Sequence, residues 1–228
     1  MTHSNSLSSG PVRTTLDRLH ADATSDRVKF LTLLPHFAGG FLRGRTFSEL
    51  LTPEAMKDFY IPISREQGEF LYLTARAIGA TNVVEFGTSF GISTVYLAAA
   101  VRDNGGGQVI GSEIQAAKAE VAERNLKDAG LADLVDVRLG DARETLQQIP
   151  EPVDLVLLDG WKDLYLPILD LVAPRLRRGA VVLADNIFTF RKSLRPYVEA
   201  MQSGRRGFAS TTLHLADGFE YSVFLGEG

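Results

Sequence analysis

Two short apolar runs in the second half of the chain each stop at an acidic residue. Val153–Leu158 is followed by Asp159, and Ala180–Ala184 is followed by Asp185. A helix-length segment separates the two runs, so the pattern is that of parallel strands joined by a crossover helix. Because the carboxyl ends of parallel strands lie at one edge of a sheet, where such sheets bind ligands, the pattern predicts two carboxylates at a ligand-binding edge.

The same alternation extends from residue 64 to the end of the chain. It predicts an α/β protein with a doubly wound, Rossmann-like sheet, mostly parallel, with helices on both faces and an antiparallel strand near the C-terminus. The predicted strands are residues 82–86, 108–112, 134–139, 153–158, 180–184, 210–215 and 219–225. The predicted helices are residues 66–78, 92–101, 116–129, 142–148, 164–176 and 193–203.

Length and composition indicate one domain with a short extension. The chain has 228 residues, of which 45% are hydrophobic and 23% charged, as in ordinary globular proteins. Residues 1–26 are expected to be a flexible or partly helical segment, with the first ten as a flexible tail. Residues 27–228 are expected to form a single domain, in which residues 27–60 make a helical cap over the active-site end.

Charge and cysteine content exclude several classes of function. The net charge of −4 disfavours a nucleic-acid-binding surface. The chain has no cysteine, which excludes disulfides, thiolate metal sites and cysteine nucleophiles and fits a cytoplasmic location. No apolar run is long enough to span a bilayer, so we expect no membrane partner.

A turn with two glycines follows the first predicted strand. Glu85 lies near the end of that strand, and Gly87 and Gly91 come before the next helix. This spacing differs from the Gly-x-Gly-x-x-Gly of dinucleotide-binding folds. A carboxylate here would oppose a pyrophosphate but suit a cation, such as the amino group of S-adenosylmethionine. A strand–turn–helix that merely contains glycines is the alternative.

The next two strand ends carry further acidic residues. Glu113 follows the second strand, where a carboxylate can accept hydrogen bonds from both hydroxyls of a ribose. Enzymes that use NAD have the same device, so Glu113 indicates a ribose and not a particular cofactor. Asp141, after the third strand, either borders an adenine ring or caps the following helix.

The edge predicted from the two apolar runs has the donors of a metal site. Asp159, Asp185 and Asn186 offer oxygen atoms, which hard cations such as Mg²⁺ prefer. Lys162 lies three residues after Asp159 and can reach the same edge. A metal beside a lysine can activate a hydroxyl group. In the alternative interpretation the aspartates are turn residues at strand ends and Asn186 is a helix cap.

Five motifs together resemble a known family. VVEFGTSFGIS, SEI, LLDGWKDLYLP, VLADN and DGFE are similar to the small, metal-dependent group of class I S-adenosylmethionine-dependent O-methyltransferases, and most closely to catechol O-methyltransferase. The resemblance extends over residues 61–226. Its most specific part is the run from Asp159 to Asp163 together with Asp185-Asn186.

The resemblance implies that one set of residues binds S-adenosylmethionine. Glu85 would hold the methionine amino group, Glu113 would hold the ribose, and Ile114 and Trp161 would lie against the adenine. The complete implied set is Ile63, Glu85, Gly87, Ser89, Ser93, Glu113, Ile114, Ala142, Arg143, Asp159 and Trp161.

The resemblance also implies a metal site and a base. Asp159, Asp185 and Asn186 would bind Mg²⁺ or another divalent cation, and Lys162 would be the general base. The implied partner is a small phenolic acceptor, and the implied assembly is a monomer or a homodimer.

The chain departs from the family pattern around the acceptor. Residues 187–190, Ile-Phe-Thr-Phe, replace a proline-containing loop. Where the family has a glutamate that steadies the second hydroxyl, His214 is the nearest residue, and it either contacts a hydroxyl or is an ordinary strand residue. Phe188, Phe190 and Trp161 indicate a flat aromatic acceptor.

The predicted function is Mg²⁺-dependent methyl transfer to a hydroxyl of a small, catechol-like aromatic. One alternative is a methyltransferase for another small molecule or natural product, or for RNA or protein. An NAD-dependent oxidoreductase is a second, which the Gly87/Gly91 spacing disfavours, and a non-catalytic cofactor-binding protein is a third.

Overall fold

The structure is a computed structural model, and it describes residues 5–29, 39, 42–44 and 63–226. Most of the predicted cap, residues 27–60, therefore lies outside the described residues. Of the helices in the described part, none is long and apolar enough to cross a membrane.

A seven-stranded sheet is the centre of the described part of the chain. Its strands are β1 (Asn82–Phe86), β2 (Gln108–Glu113), β3 (Val135–Leu139), β4 (Val153–Leu158), β5 (Leu176–Ala184), β6 (Phe208–Leu213) and β7 (Phe219–Phe224). Their order across the sheet is β3-β2-β1-β4-β5-β7-β6. Strands β1 to β5 are parallel, whereas β7 is antiparallel to both β5 and β6. The predicted fold class is confirmed.

Helices cover both faces of this sheet. Those described are α1 (Gly10–Lys29), α2 (Arg65–Ala77), α3 (Ile92–Asp103), α4 (Ala116–Asp128), α5 (Ala142–Thr145), α6 (Tyr165–Val172) and α7 (Arg191–Gln202). Alternate strand residues face opposite cores: Val83 packs with α1 to α4, and Val84 packs with α5 to α7. Each fully buried side chain of this kind contributes about 1.5–3 kcal/mol, so the sheet is anchored from both sides.

The start of β5 differs from the sequence prediction. The helix predicted over residues 164–176 ends as a short 3-10 turn, Ala173–Arg175, and β5 begins at Leu176 instead of Ala180. Pro174 sits in that turn and cannot donate the backbone bond that would continue the helix. The sequence predicts that the pair Arg177-Arg178 is a solvated helix end, but in the structure both residues lie in β5.

Asp154 in β4 ties together the starts of the central strands. Its Oδ2 accepts hydrogen bonds from the backbone N–H groups of Thr81 and Asn82, both at 2.8 Å. Its Oδ1 accepts one from Arg177 Nε at 2.5 Å. Burial would raise the pKa of Asp154, but the guanidinium and the two N–H groups outweigh it and lower that pKa.

Helix α1 packs against α3 and α4 and reaches the loop after β1 through hydrogen bonds. Its buried apolar side chains include Val12, Leu16 and Leu19. Arg18 Nη2 donates to Asn125 Oδ1 at 3.0 Å, and Asn125 Nδ2 donates to the carbonyl oxygen of Phe90 at 2.8 Å. Asn125 is buried, whereas Arg18 at the other end of this connection is exposed.

The residues before α1 differ from the flexible tail expected for the first ten. Residues 6–8 form a 3-10 turn, in which Asn5 Oδ1 accepts the N–H of Leu7 at 3.1 Å. The backbone N–H of Ser6 donates to Asp103 at 2.8 Å, and its hydroxyl donates to the same carboxylate. Short polar side chains here make specific bonds that composition does not reveal. Residues 1–4 lie outside the described part.

Asp154→Asn should lower the free energy of unfolding by about 1–3 kcal/mol near neutral pH, because the new amide cannot pair with the charge of Arg177. The folded-state pKa of Asp154 is depressed, so its stabilising effect is complete above the ordinary value of 3.8 and is lost as the pH falls through the folded-state pKa. Urea unfolding of both proteins over that range measures the difference. A deficit that persists at strongly acidic pH would contradict the assignment.

Candidate active site

Backbone hydrogen bonds extend the central strands by one residue and fix where the acidic side chains begin. The N–H of Asp159 donates to the carbonyl oxygen of Phe86 at 2.9 Å, and the N–H of Asp185 donates to that of Leu158 at 3.0 Å. These bonds continue the β1–β4 and β4–β5 pairings. The two aspartates therefore leave neighbouring strands at one edge, as predicted.

The loop from Gly87 to Gly91 packs where a side chain would not fit. Gly87 has φ +100°, and a Cβ there would lie 2.7 Å from the backbone of Asp159 and Gly160. Gly91 precedes α3 with φ +84°, and its Cβ would lie 3.2 Å from that of Ala122. Glycine allows both the left-handed conformation and the close approach. The loop thus lies directly against the turn that follows β4.

Glu85 is a fully buried carboxylate with one oxygen unused. Its Oε2 accepts a hydrogen bond from Thr94 Oγ1 at 2.5 Å, whereas Oε1 has no hydrogen-bond partner among the described residues. Burial raises the pKa of Glu85, although nearby hydroxyl groups, those of Ser93 and Thr94 among them, lower it. An unpaired buried oxygen is costly, and a cation that donated to it would offset that cost.

Glu113 is held in one orientation by two backbone donors. Its Oε2 accepts the N–H of Ser89 and its Oε1 accepts the N–H of Gln115, both at 2.8 Å. Ser89 adopts φ +51°, which is uncommon outside glycine. A carboxylate has about four acceptor positions, so Glu113 keeps capacity for a ligand hydroxyl.

The positions assigned to adenine lie beyond the ends of two strands. Ile114 follows β2 and is 64% exposed, and Trp161 follows β4 and is 37% exposed. Such exposure of large apolar side chains suits contact with a flat ligand. Ile63, in contrast, is buried in the core on the α1 to α4 side, next to the start of α2.

The turn after β3 approaches the same edge. The N–H of Gly140 donates to the carbonyl oxygen of Glu113 at 2.9 Å, and Ala142 is buried at the start of α5. Asp141 accepts the N–H of Arg143 at 2.9 Å and also pairs with its guanidinium. The capping alternative for Asp141 is confirmed, and the pair lowers the pKa of its carboxyl. Contact of Ala142 and Arg143 with an adenine stays a prediction.

Lys162 contacts several side chains at the sheet edge where Asp159 and Asp185 lie. Its Nζ donates to Asn186 Oδ1 at 2.5 Å and to the Tyr165 hydroxyl at 2.8 Å, and it lies 3.5 Å from Asp159 Oδ1. The side chains of Lys162 and Asp159 are only 13% and 15% exposed. The structure thus brings together the predicted base and two predicted metal ligands.

The charged forms of these side chains are costly in their surroundings. Burial raises the pKa of Asp159 to about 6 despite the nearby lysine. Burial, and then the negative charge of Asp159, raises the pKa of Asp185 to about 8. Burial also lowers the pKa of Lys162, although both aspartates oppose this change. The site therefore has a deficit of positive charge when both carboxylates are ionised.

Two residues that sequence reasoning missed contact the predicted metal ligands. Gln67 Nε2 donates to Asp185 Oδ1 at 2.7 Å, and Asp217 Oδ2 accepts from Asn186 Nδ2 at 3.3 Å. Gln67 also forms a capping box with Ser64 at the start of α2. The Ser-x-x-Gln spacing signals that cap, but nothing in the sequence signals a contact with Asp185.

The residues at the predicted acceptor side form a partly exposed aromatic surface. The rings of Phe188 and His214 are 5.0 Å apart between centroids, and Phe188 is 39% exposed. A Cβ on Gly218 would lie 2.7 Å from the Phe188 ring. His214 comes after the last residue of β6, so the interpretation as a strand residue is wrong. Contact of His214 with a hydroxyl stays a prediction.

Comparison with known proteins identifies the family. A family model described as a methyltransferase domain matches residues 84–187. Catechol O-methyltransferase of Mycobacterium tuberculosis is 41% identical over 56% of this chain and 57% of its own length. Catechol O-methyltransferase B of Danio rerio is 31% identical over 75% of this chain and 68% of its own length. The chain belongs to the class I O-methyltransferase family.

A solved structure of an O-methyltransferase has the same fold. The Bacillus cereus O-methyltransferase in complex with SAH has a TM-score of 0.68 and 28% identity, over 75% of this chain and 86% of that one. This chain spans less than two thirds of the length of the mycobacterial relative, 57%.

In this O-methyltransferase-family chain, the donors for a cation include an amide. Among the described residues, no three His, Cys, Asp or Glu side chains gather in a way that could hold a metal ion. The candidate ligands are two carboxylates, Asp159 and Asp185, with the Asn186 amide oxygen. All three offer hard oxygen atoms, which fits Mg²⁺ better than a softer metal.

Gly87→Ala should lower the free energy of unfolding by about 2 kcal/mol or more, because strain from a positive φ adds to overpacking against Gly160. Gly79→Ala is the matched control: Gly79 has φ +62° but open space around its position, so the loss there should be about 1 kcal/mol. Urea unfolding measures both. Equal losses would mean that the close approach at Gly87 has no energetic effect.

Proposed function

We propose that this protein transfers the methyl group of S-adenosylmethionine to a hydroxyl group of a small aromatic acceptor with adjacent hydroxyls, with the help of Mg²⁺. The observation that carries this proposal is the contact of Lys162 Nζ with Asn186 and Asp159. That contact lies beside the turn against which the Gly87 loop packs. A base candidate and oxygen donors next to a ligand-binding loop are the parts that this reaction needs.

The side chains around the loop fit the methyl donor. The unpaired Oε1 of Glu85 can accept a hydrogen bond from the cationic amino group of S-adenosylmethionine. Ser89 lies in the loop from Gly87 to Gly91, and Ser93 lies in the first turn of α3, which follows that loop. Glu113, already oriented by backbone donors, can accept both ribose hydroxyls, and Ile114 lies where an adenine would pack.

The donor set also fits a divalent cation. Asp159, Asp185 and Asn186 would hold it, and a cation there would offset the cost of ionising the two aspartates, whose pKa values are raised by burial. When bound, Mg²⁺ would supply charge that orients two adjacent hydroxyl oxygens and favours loss of a proton. Gln67 donates to Asp185 Oδ1, and Asp185 Oδ2, which accepts a longer hydrogen bond from Asn186 Nδ2 at 3.3 Å, keeps acceptor capacity for a cation.

Lys162 is the group best situated to take the acceptor proton. In the neutral form, Nζ accepts the proton as the acceptor oxygen bonds to the methyl carbon and the bond from that carbon to sulfur breaks. Burial favours this neutral form because it lowers the pKa of Lys162. The hydroxyl of Tyr165 and the amide oxygen of Asn186 keep the amine at the edge of the site.

The aromatic surface of Phe188 and His214 supports a flat acceptor. The names of the Mycobacterium tuberculosis and Danio rerio relatives point to a catechol. Residues 187–190 differ from the proline-containing loop of the family, so the preferred acceptor can be another vicinal diphenol. We propose a free small molecule and not a nucleic acid, since the net charge of the chain is −4.

The direct test is transfer of labelled methyl from S-adenosylmethionine to vicinal diphenols, including caffeoyl-type phenols. It is run with Mg²⁺, with a chelator, and with the matching monophenols as control. We expect labelled product only with a diphenol and free Mg²⁺. Equal transfer in chelator would overturn the metal requirement, and no binding of S-adenosylmethionine at all would overturn the proposed function.

Lys162→Met should lower turnover by about 10²–10⁴-fold at saturating Mg²⁺, because the acceptor proton loses its base. The affinity for S-adenosylmethionine should change by less than about threefold, since Lys162 is assigned no contact with the donor. Lys127→Met, which changes an exposed lysine of α4, is the matched control and should leave turnover unchanged. Turnover that survives in Lys162→Met would remove Lys162 as the base.

Glu85→Gln should weaken S-adenosylmethionine binding by at least about tenfold, because a buried charge pair is lost. Calorimetric titration should be repeated with an analogue that lacks the amino group, which should bind both proteins equally. Glu123→Gln, in an exposed position of α4, controls for the change in net charge. If the analogue loses affinity as much as the natural donor, Glu85 acts through the shape of the loop and not through the amino group.

A further inference from the structure

We propose that Asp217 is a positioning residue that fixes which end of the Asn186 amide faces Lys162 and the cation site. This inference rests on the proposed function, because it assigns the amide oxygen of Asn186 to the metal. Asp217 lies in the turn between β6 and β7, and it belongs to neither the predicted ligands nor the predicted base.

The amide of Asn186 has chemically different neighbours at its two ends. Its Oδ1 accepts from Lys162 Nζ at 2.5 Å. Its Nδ2 is 3.3 Å from Asp217 Oδ2 and 3.3 Å from Asp185 Oδ2, and both carboxylates accept. While Lys162 is protonated, before it acts as a base, a flipped amide would point N–H groups at its ammonium and an oxygen at two carboxylates. Since the two ends have nearly the same shape, these neighbours alone select the orientation that offers oxygen to a cation.

Asp217 is the neighbour that can keep this orientation when a metal binds. Asp185 is itself a proposed ligand, so its oxygen is shared with the cation and accepts less from the amide. Asp217 is held from the other side, because its Oδ1 accepts the N–H of Thr189 at 3.1 Å and the Thr189 hydroxyl at 2.9 Å. Its Oδ2 therefore stays directed at Asn186.

The backbone conformation of Asn186 does not fix its side chain, so a neighbouring residue is needed to hold the amide in one orientation. Asn186 has φ +64°, a conformation that asparagine tolerates better than most residues but that does not fix its side chain. The loop that follows is bound to the β6–β7 turn, since the N–H of Phe188 donates to the Asp217 carbonyl oxygen at 3.0 Å. The turn and the loop thus form one unit around the amide.

Asp217→Asn is designed to reverse this preference. The two donors of Thr189 would retain the oxygen of the new amide, whose N–H groups would then face Asn186 and favour its flipped form. We expect Mn²⁺ and Mg²⁺ to bind at least about tenfold more weakly, the usual effect of losing such an outer contact. Calorimetric titration with the metal alone measures this without any turnover.

Orientation is separated from charge by repeating the substitution in an Asn186→Asp background. A carboxylate has oxygen at both ends, so Asp217→Asn should then weaken metal binding by less than about threefold. Asp163→Asn, which removes a charge from an exposed position next to Lys162, is the charge control and should also have a small effect. Equal losses from Asp217→Asn in both backgrounds, or no loss in either, would overturn the inference.

Failure of the proposed function gives a different result. If neither the natural protein nor Asn186→Asp binds a divalent cation, the metal site itself is wrong, and the role of Asp217 fails with it. Circular dichroism and urea unfolding establish that each variant is folded. If Asp217→Asn does not fold, Asp217→Ser removes the same acceptor with another common turn residue. Its metal affinity is then compared in the natural and the Asn186→Asp backgrounds, and equal losses in both, or no loss in either, would again overturn the inference.

Discussion

Main-chain hydrogen bonds beyond the regular ends of the strands are the constraint on which the candidate site depends. They tie the backbone of Asp159 to β1 and that of Asp185 to β4, so the main chains of the two aspartates cannot separate without disrupting the centre of the sheet. In a buried setting the repulsion between their carboxylates is much stronger than in water. The fold therefore holds in place an arrangement that the side chains themselves would avoid, and Lys162 only partly balances it.

That imposed repulsion explains why the surrounding contacts are so specific. Gln67 uses an amide nitrogen to stabilise one oxygen of Asp185, and Lys162 is oriented by a phenol and an amide oxygen. Each of these groups lowers the cost of a charge, and none neutralises the site completely. Buried carboxylates that are not fully neutralised are stabilised by a cation, and the same holds for Glu85, whose Oε1 has no hydrogen-bond partner among the described residues.

Much of the architecture could be predicted from the sequence, because buried parallel strands leave clear apolar runs such as Val153–Leu158. The beginning of β5 could not, since Arg177 looks like part of a solvated helix end and its partner Asp154 is far away in sequence. The convergence of Asp159 and Asp185 as oxygen donors followed from the strand ends, whereas the roles of Lys162 as general base and of Trp161 as an adenine contact came from the family resemblance. Gln67 escaped prediction because its contact with Asp185 depends on how a helix packs on the sheet, which no local pattern encodes.

The hydrogen bonds from α1 to the glycine loop have a consequence for how the sequence can vary. Phe90 presents its carbonyl to Asn125, and Asn125 in turn needs the guanidinium of Arg18 to satisfy its own oxygen. Loss of Arg18 would leave a buried amide acceptor unpaired and free Asn125 to rotate away from the loop. The amino-terminal helix is thus linked to the shape of the cofactor loop, and substitutions at residue 18 should be accompanied by compensating changes at residue 125.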